Sequence, residues 1–342
     1  MHLRLFYLGI ILSLYIKPLF AQQIDYRKDY YNQINKAELA ITERRYGIAV
    51  SNYKEAFSKV PNVFAKDLFN AAICATLNND QDLAINFCRE LLLKGTEITF
   101  ILSQKIFRSL ESNASWQYLL EEYPALRRRY LLTVNLPIRK ELELMWARDQ
   151  YFRIKPNGLL VYKDTISSID QENIIKLKEI INKYNFPGED LIGVDNPVSA
   201  PPFHSILYHH CQSKGSNLSK GLADFQDFLL EAVRLGKLSP HRYATYADIQ
   251  GRPIYGNTAF YRIGKGGELR YLKLAKREIK KINKRRINIG LEPLGDYRKK
   301  VLFSLEEKNF IFDFNDSIIA LEGLDSDSIE KFIQNSLSVE VE

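Results

Sequence analysis

The stretch ELELMWARDQYFR, Glu141 to Arg153, decides how the chain folds. Ile138 just before it, then Leu142, Met145 and Phe152, recur at steps of three and four, the period of a helix with one face in a core. A half-buried strand would alternate every second residue, and this stretch does not. The step between Met145 and Phe152 falls on Asp149, a carboxylate where the stripe calls for an apolar side chain. An isolated buried charge is prohibitively costly, so Asp149 requires a partner. Arg153, four residues on, shares its face.

Upstream, RRYGIAVSNYKEAFSKVP (Arg44–Pro61) spaces Tyr46, Ala49, Tyr53, Ala56 and Pro61 in a way that resembles the second half of a tetratricopeptide repeat. Small residues there let two helices approach closely, an aromatic fills the gap between turns, and proline stops the second helix. A second unit, NAAICATLNNDQDLAINFCRELL (Asn70–Leu92), supplies Ala71, Cys74, Leu77, Ala84 and Cys88. A degenerate third runs from about Ile98 to Tyr123 and contains Trp116. Three stacked hairpins are about the minimum that buries a continuous core. The resemblance implies a concave surface for a protein or peptide, with Gln33, Lys36 and Asp67 on it, or else a stand for the second half of the chain. Cys74 and Cys88 fall on facing helices, where either a disulfide or two small core residues fits.

Downstream, Pro137 suits the first turn of the helix that carries Asp149. Asp170 is expected to cap a further helix reaching Tyr184, and another is expected from Ser219 to Gly236. RYATYADIQGRPIYGNTAFYRI (Arg242–Ile263), rich in β-branched and aromatic residues, reads as a β-hairpin broken at Gln250-Gly251. GKGGE (Gly264–Glu268) comes next, a flexible turn or an anion cradle, and leads into a basic helix expected from Leu269 to Asn288. Leu272, Ala275, Ile279 and Ile282 make its apolar stripe, whose next step is Arg286. The fold class is therefore mainly α: helical hairpins, then a helical domain with a small β-hairpin.

This second unit resembles the bacterial domain of unknown function 6624. The family's Asp-Gln-x-x-Arg motif is matched by Asp149, Gln150 and Arg153, and its Tyr-Gly-Trp-Pro helix end, loosely, by Tyr184 to Pro187. Its Gln-His pair corresponds to His209-His210. Its Asp-Arg strand corresponds to Asp248-Ile249, and its Tyr-Gly-Thr-Gln turn to Tyr255-Gly256-Asn257-Thr258; the arginine and the glutamine are absent. The closing segment is matched by Arg286, Gly290, Leu291, Pro293, Leu294 and Tyr297. The resemblance covers roughly residues 130 to 300 and implies an architecture and a candidate site, not a reaction.

The residues themselves point to a polar cluster. Outside the first residues, every histidine lies between His204 and His241. A carboxylate beside a histidine makes it an acid–base group near neutral pH. His210 with Asp149 or Asp248 is the expected pair, and Arg286 or Arg153 the expected counter-charge. The candidate catalytic residues are Asp149, His210 and Asp248; the candidate substrate-binding residues are Gln150, Arg153, Tyr255 and Arg286. A purely structural network of the same residues is the competing reading. His204, His209 and His210 lack the three- or four-residue spacing of two metal ligands on one helix, so no metal is expected, and no cofactor motif stands out.

The opening MHLRLFYLGIILSLYIKPLFAQQ reads as a secretory signal peptide: Arg4 ahead of an apolar run from Leu5 to Ile16, with Ala21 at a small-residue cleavage site. The expected divisions are residues 1–21 (signal), 22–128 (helical hairpins), 129–300 (second unit) and 301–342 (acidic segment). The mature protein is expected in the periplasm or outside the cell, without a stable membrane span. Net charge is +7. Arg262–Lys300 carries fourteen basic residues against four acidic, and Val301–Glu342 two against ten. Such neighbours are expected to neutralise each other rather than bind nucleic acid. The function expected is that of an interaction module built on the hairpins and joined to the second unit; an exported acid–base or hydrolytic enzyme built on the cluster is the alternative.

Overall fold

Helices α1 (Tyr31–Thr42), α2 (Tyr46–Ser58), α3 (Ala65–Leu77), α4 (Gln81–Leu93) and α5 (Ala114–Thr133) form the first layer, each packed on its neighbour. The structure is a computed structural model; it describes residues 24–212, 221–249, 254–257, 261–263, 268–314, 319–320 and 326–338. The segment read as a signal peptide, the expected helix start at Ser219, Gln250, Gly251, Thr258 and the glycines of GKGGE lie outside these. One turn is used three times. After α1, Arg44 takes a left-handed φ of 56° while the Arg45 amide donates back to the Ala40 carbonyl; after α3, Asn79 (φ 59°) and Asp80 repeat it on Ala75. After α4 the same turn uses Gly95 (φ 111°), where a Cβ would meet the Tyr130 ring and the Val194 carbonyl at 2.6 Å. Only glycine fits there.

Ala49, Tyr53, Ala56, Ala71, Ala84 and Trp116 are buried as their spacing implies, and Cys74 and Cys88 are separate buried thiols. Leu77 is exposed. The third hairpin starts with the short helix Ile98–Ser103 and a 3-10 turn, and its second arm, α5, runs on to Thr133. The boundary expected at residue 128 therefore lies inside a helix. Pro124 does not break it.

The second layer holds α6 (Leu136–Arg153), α7 (Lys163–Tyr184), α8 (Phe203–Gln212), α9 (Gln226–Arg234) and α10 (Pro240–Asp248) around a separate core that includes Leu142, Leu177, Leu207, Leu229 and Tyr246. Asn135 caps α6, accepting from the Ile138 amide at 3.2 Å. The helix expected to begin at Asp170 begins at Lys163, so Asp170 sits inside α7. The expected hairpin at Arg242–Ile263 is corrected at its first half. Ser239 caps α10, its hydroxyl accepting from the Arg242 amide at 3.3 Å with Pro240 at the first helical position, and this start overrides the β-branched and aromatic composition of RYATYAD. The hairpin lies further on, as β1 (Tyr261–Ile263) against β2 (Leu269–Leu272), with Tyr261 opposite Tyr271 and Arg262 opposite Arg270. β3 (Ile319–Ala320) adds parallel to β1 and β4 (Ser336–Ser338) antiparallel to β2, in the order β3-β1-β2-β4.

The basic helix, α11, is accordingly shorter than expected, Lys276–Asn288, because Leu269–Leu272 is strand. α12 (Leu294–Glu306) crosses the expected boundary at residue 300 and packs on α1. Val301, Phe303, Phe310, Phe312 and Phe314 join the core of the first layer. The Asn70 side chain grips the Ile311 backbone twice, donating to its carbonyl at 2.7 Å and accepting from its amide at 2.9 Å. The chain's own later segment thus covers the hairpins. Among the described residues no ion pair joins the basic segment to residues 301–342; the buried Lys300 is matched by Glu38 and Glu292 instead.

Candidate functional site

Asp149 stands on the buried stripe of α6 with Ile138, Leu142 and Met145, as the spacing implies. Three side chains hold its carboxylate. His209 Nδ1, from α8, lies 3.0 Å from Oδ2 and 3.2 Å from Oδ1. Gln150 Nε2 donates to Oδ2 at 2.6 Å, and Arg153 Nε lies 3.5 Å from the same oxygen. Arg153 Nη2 also donates to Asp170 of α7. Three helices thus deliver one cluster: Asp149, Gln150 and Arg153 from α6, Asp170 from α7, His209 from α8.

Burial alone would raise the Asp149 pKa; the hydrogen bond and charge of His209, with Arg153 behind them, reverse this and hold it below the ordinary carboxylate range. Asp170 goes the other way. Burial raises it, and its bond to Arg153 only partly offsets the rise. The Asp149 side chain is 1% exposed and that of His209 22% exposed, so a buried anion orients a ring that reaches solvent. With Nδ1 committed to Asp149, Nε2 is the ring nitrogen that the carboxylate does not hold. Asp149, Asp170 and His209 also offer one ligand atom each within 4.8 Å of one another, the beginnings of a metal site. The Arg153 guanidinium already contacts both carboxylates, so a divalent ion would have to displace it.

The expected histidine is corrected. His210 faces away from Asp149, with Nε2 3.2 Å from Asp224 Oδ2, and burial lowers its pKa against the pull of Asp224. Adjacent helix residues point about 100° apart, so a His-His pair cannot place both rings on one carboxylate. Asp170 is a site residue that sequence reasoning takes for a helix cap. Ile166, Ile169 and Asn173 on the buried face of α7 are the signal that the helix starts earlier.

The remaining expected residues form a second network that, among the described residues, shares no hydrogen bond or ion pair with Asp149. Asp248, at the end of α10, accepts from the Tyr255 amide at 2.8 Å and the Asn257 amide at 2.6 Å, shaping the turn around Gly256. Burial pushes its carboxyl up to about 6 despite these bonds and the nearby Arg286. Arg286 is wholly buried. Its Nε donates to the Glu292 carbonyl, its Nη1 to the Tyr255 carbonyl, and its guanidinium lies over the Tyr297 ring. It counters Glu292 at 3.6 Å, not Asp149. His241 Nε2 and Lys300 Nζ each stand 3.4 Å from the same Glu292 carboxylate. Lys300 continues to Glu38 at 2.6 Å, Glu38 to Lys66 at 2.6 Å, and Lys66 to Asp67 at 2.7 Å. A chain of buried charge therefore runs from α1 and α3 through α12 to the turn under α10. Its link from α1 to α12 is not legible in sequence, because Glu38 and Lys300 are 262 residues apart.

No family model, no curated protein and no solved structure matches the chain.

Proposed function

We propose that the second layer is an acid–base site of hydrolytic type, with His209 moving the proton and Asp149 orienting it. One observation carries this reading: a buried carboxylate fixed on the inner nitrogen of a histidine whose ring reaches solvent. Among the described residues no Ser or Cys hydrogen-bonds the His209 ring. Activation of water by Nε2 is then the simplest chemistry. Arg153 and Gln150 hold the dyad in place and add positive charge beside it. Asp248, Tyr255 and Arg286 serve as the frame beneath. The N-terminal sequence supports action in the periplasm or outside the cell, and the motif residues support kinship with the domain of unknown function 6624.

An interaction module built on the hairpins is the less favoured reading. Of its three expected contact residues, Gln33 and Asp67 are buried, and only Lys36 is exposed. The hairpins then act as a stand for the site, with the chain's own Phe310–Phe314 segment on them. The test is a panel of ester, phosphoester, glycoside and peptide substrates, assayed with the intact chain and with His209→Ala and His210→Ala variants. Turnover lost in the first and kept in the second is the expected result. Equal turnover in both variants and the wild type would refute the dyad.

A further inference from the structure

The hairpin of α6 and α7 ends in a tip, IKPNGLLVYK (Ile154–Lys163), that the acid–base reading does not use. Its core is a single helical turn, Gly158–Val161. Ile154 is 75% exposed, Leu159 62%, Leu160 81% and Val161 65%. Four large apolar side chains at one end of a helical hairpin, three of them consecutive, amount to more than the scattered surface leucines any protein carries.

The tip is also built to hold its shape. Asn157 takes a left-handed φ of 53°, and its carbonyl accepts from the Leu160 and Val161 amides at 2.9 Å. The Gly158 amide donates to the Lys155 carbonyl at 2.8 Å. A Cβ on Gly158 would collide with the Phe152 carbonyl, so the turn closes only on glycine. Phe152 and Tyr162 lock its base, ring to ring, 5.0 Å apart. Fixed backbone thus presents Leu159, Leu160 and Val161 outward instead of letting them fold back.

The charges within the tip segment itself are positive. Lys155 and Lys163 flank it, Lys155 lies over the half-exposed Tyr151 ring, and no acidic residue occurs from Gln150 to Lys163. Asp164 is the first beyond. Apolar residues at the point, with aromatic and lysine side chains behind them, are the arrangement that sits at a bilayer interface: the apolar groups enter the acyl boundary and the lysines meet anionic headgroups. We propose that this tip docks the protein on an anionic lipid surface. A second copy of the chain is a poorer occupant, because a two-fold contact through the tip sets Lys155 and Lys163 against themselves. Among the described residues no helix is long and apolar enough to cross a membrane, so this is docking, not spanning. Asp170 lies seven residues into α7 from the tip, roughly 10 Å along the helix. Docking would bring the Asp149–His209 site close to the lipid.

The test is flotation of the full chain with phosphatidylcholine vesicles, with and without phosphatidylglycerol, at low and high salt. Binding to the anionic vesicles that weakens with salt is expected. A Leu159→Ser, Leu160→Ser, Val161→Ser variant should bind at least about tenfold more weakly, and Lys155→Gln with Lys163→Gln several-fold more weakly. Both variants alter exposed side chains, and circular dichroism should show unchanged helix content. Absence of wild-type binding, or binding indifferent to the serine changes, overturns the proposal. So does sedimentation velocity showing a wild-type dimer that the serine variant dissolves, which would make the tip an interface between copies.

Discussion

Two clusters in this molecule each set carboxylates against basic side chains and differ in almost everything else. The Asp149 cluster is local to three neighbouring helices and ends in a histidine that reaches solvent. The Glu38–Lys300–Glu292–Arg286 chain is buried throughout and joins the first layer to the segments that return over it. A buried charge with all its partners inside can only fix geometry. One whose partner reaches water can also exchange protons. Burial of the last member, not the identity of the residues, separates a lock from a site.

The sharpest break between the two is thermodynamic. Lys300→Met leaves Glu38 and Glu292 buried without their shared cation. Urea unfolding should show a loss of about 3–5 kcal/mol, the range for removing one partner of a buried pair. A loss under about 1 kcal/mol would mean that the chain of charge is not a lock.

The next effect is one of pH. The Asp248 pKa is raised to about 6 in the folded state, so its contribution to stability is fully present below its unfolded value near 4 and is lost as pH rises through about 6. The deficit of Asp248→Asn relative to wild type should therefore shrink between about pH 4 and 8, by on the order of 2–3 kcal/mol. Asp149 has the opposite sign. Its folded pKa is depressed, so its contribution is present above the unfolded value near 4 and fades as pH falls through the folded one. Asp149→Asn should cost about 1–2 kcal/mol at pH 7 and progressively less in acid. Melts from about pH 2 to 8 should show the Asp149→Asn deficit growing as pH climbs to about 4 and level beyond it, and the Asp248→Asn deficit level up to about 4 and shrinking beyond it; matching trends would erase the distinction between the clusters.

The largest functional effect goes with only a modest stability effect. His209→Ala leaves the buried Asp149 carboxylate with Arg153 and Gln150 and should cost about 1–2 kcal/mol at pH 7, while turnover on any substrate found should fall by about 10²–10⁴. A large stability loss with turnover intact would move the Asp149 cluster into the structural class.

Local patterns carried a good part of this molecule. The three-and-four spacing placed α6 and the later part of α7, the small-residue spacing around Ala49 and Ala56 placed the first two hairpins, and the break in the α6 stripe located Asp149. These rest on interactions within one turn or between neighbours, so order along the chain is enough to read them. Adjacent positions such as His209 and His210 could not be separated, because the choice depends on how α8 is rotated against α6. RYATYAD reads as strand and folds as helix because a single cap, Ser239 ahead of Pro240, outweighs its composition. The pairing of Lys300 with Glu38, and the covering of the hairpins by Phe310–Phe314, were decided by tertiary structure alone. Each joins residues far apart along the chain, and only the closing of the core, with the cost of leaving any one charge unpaired, selects those partners from the many of the same type.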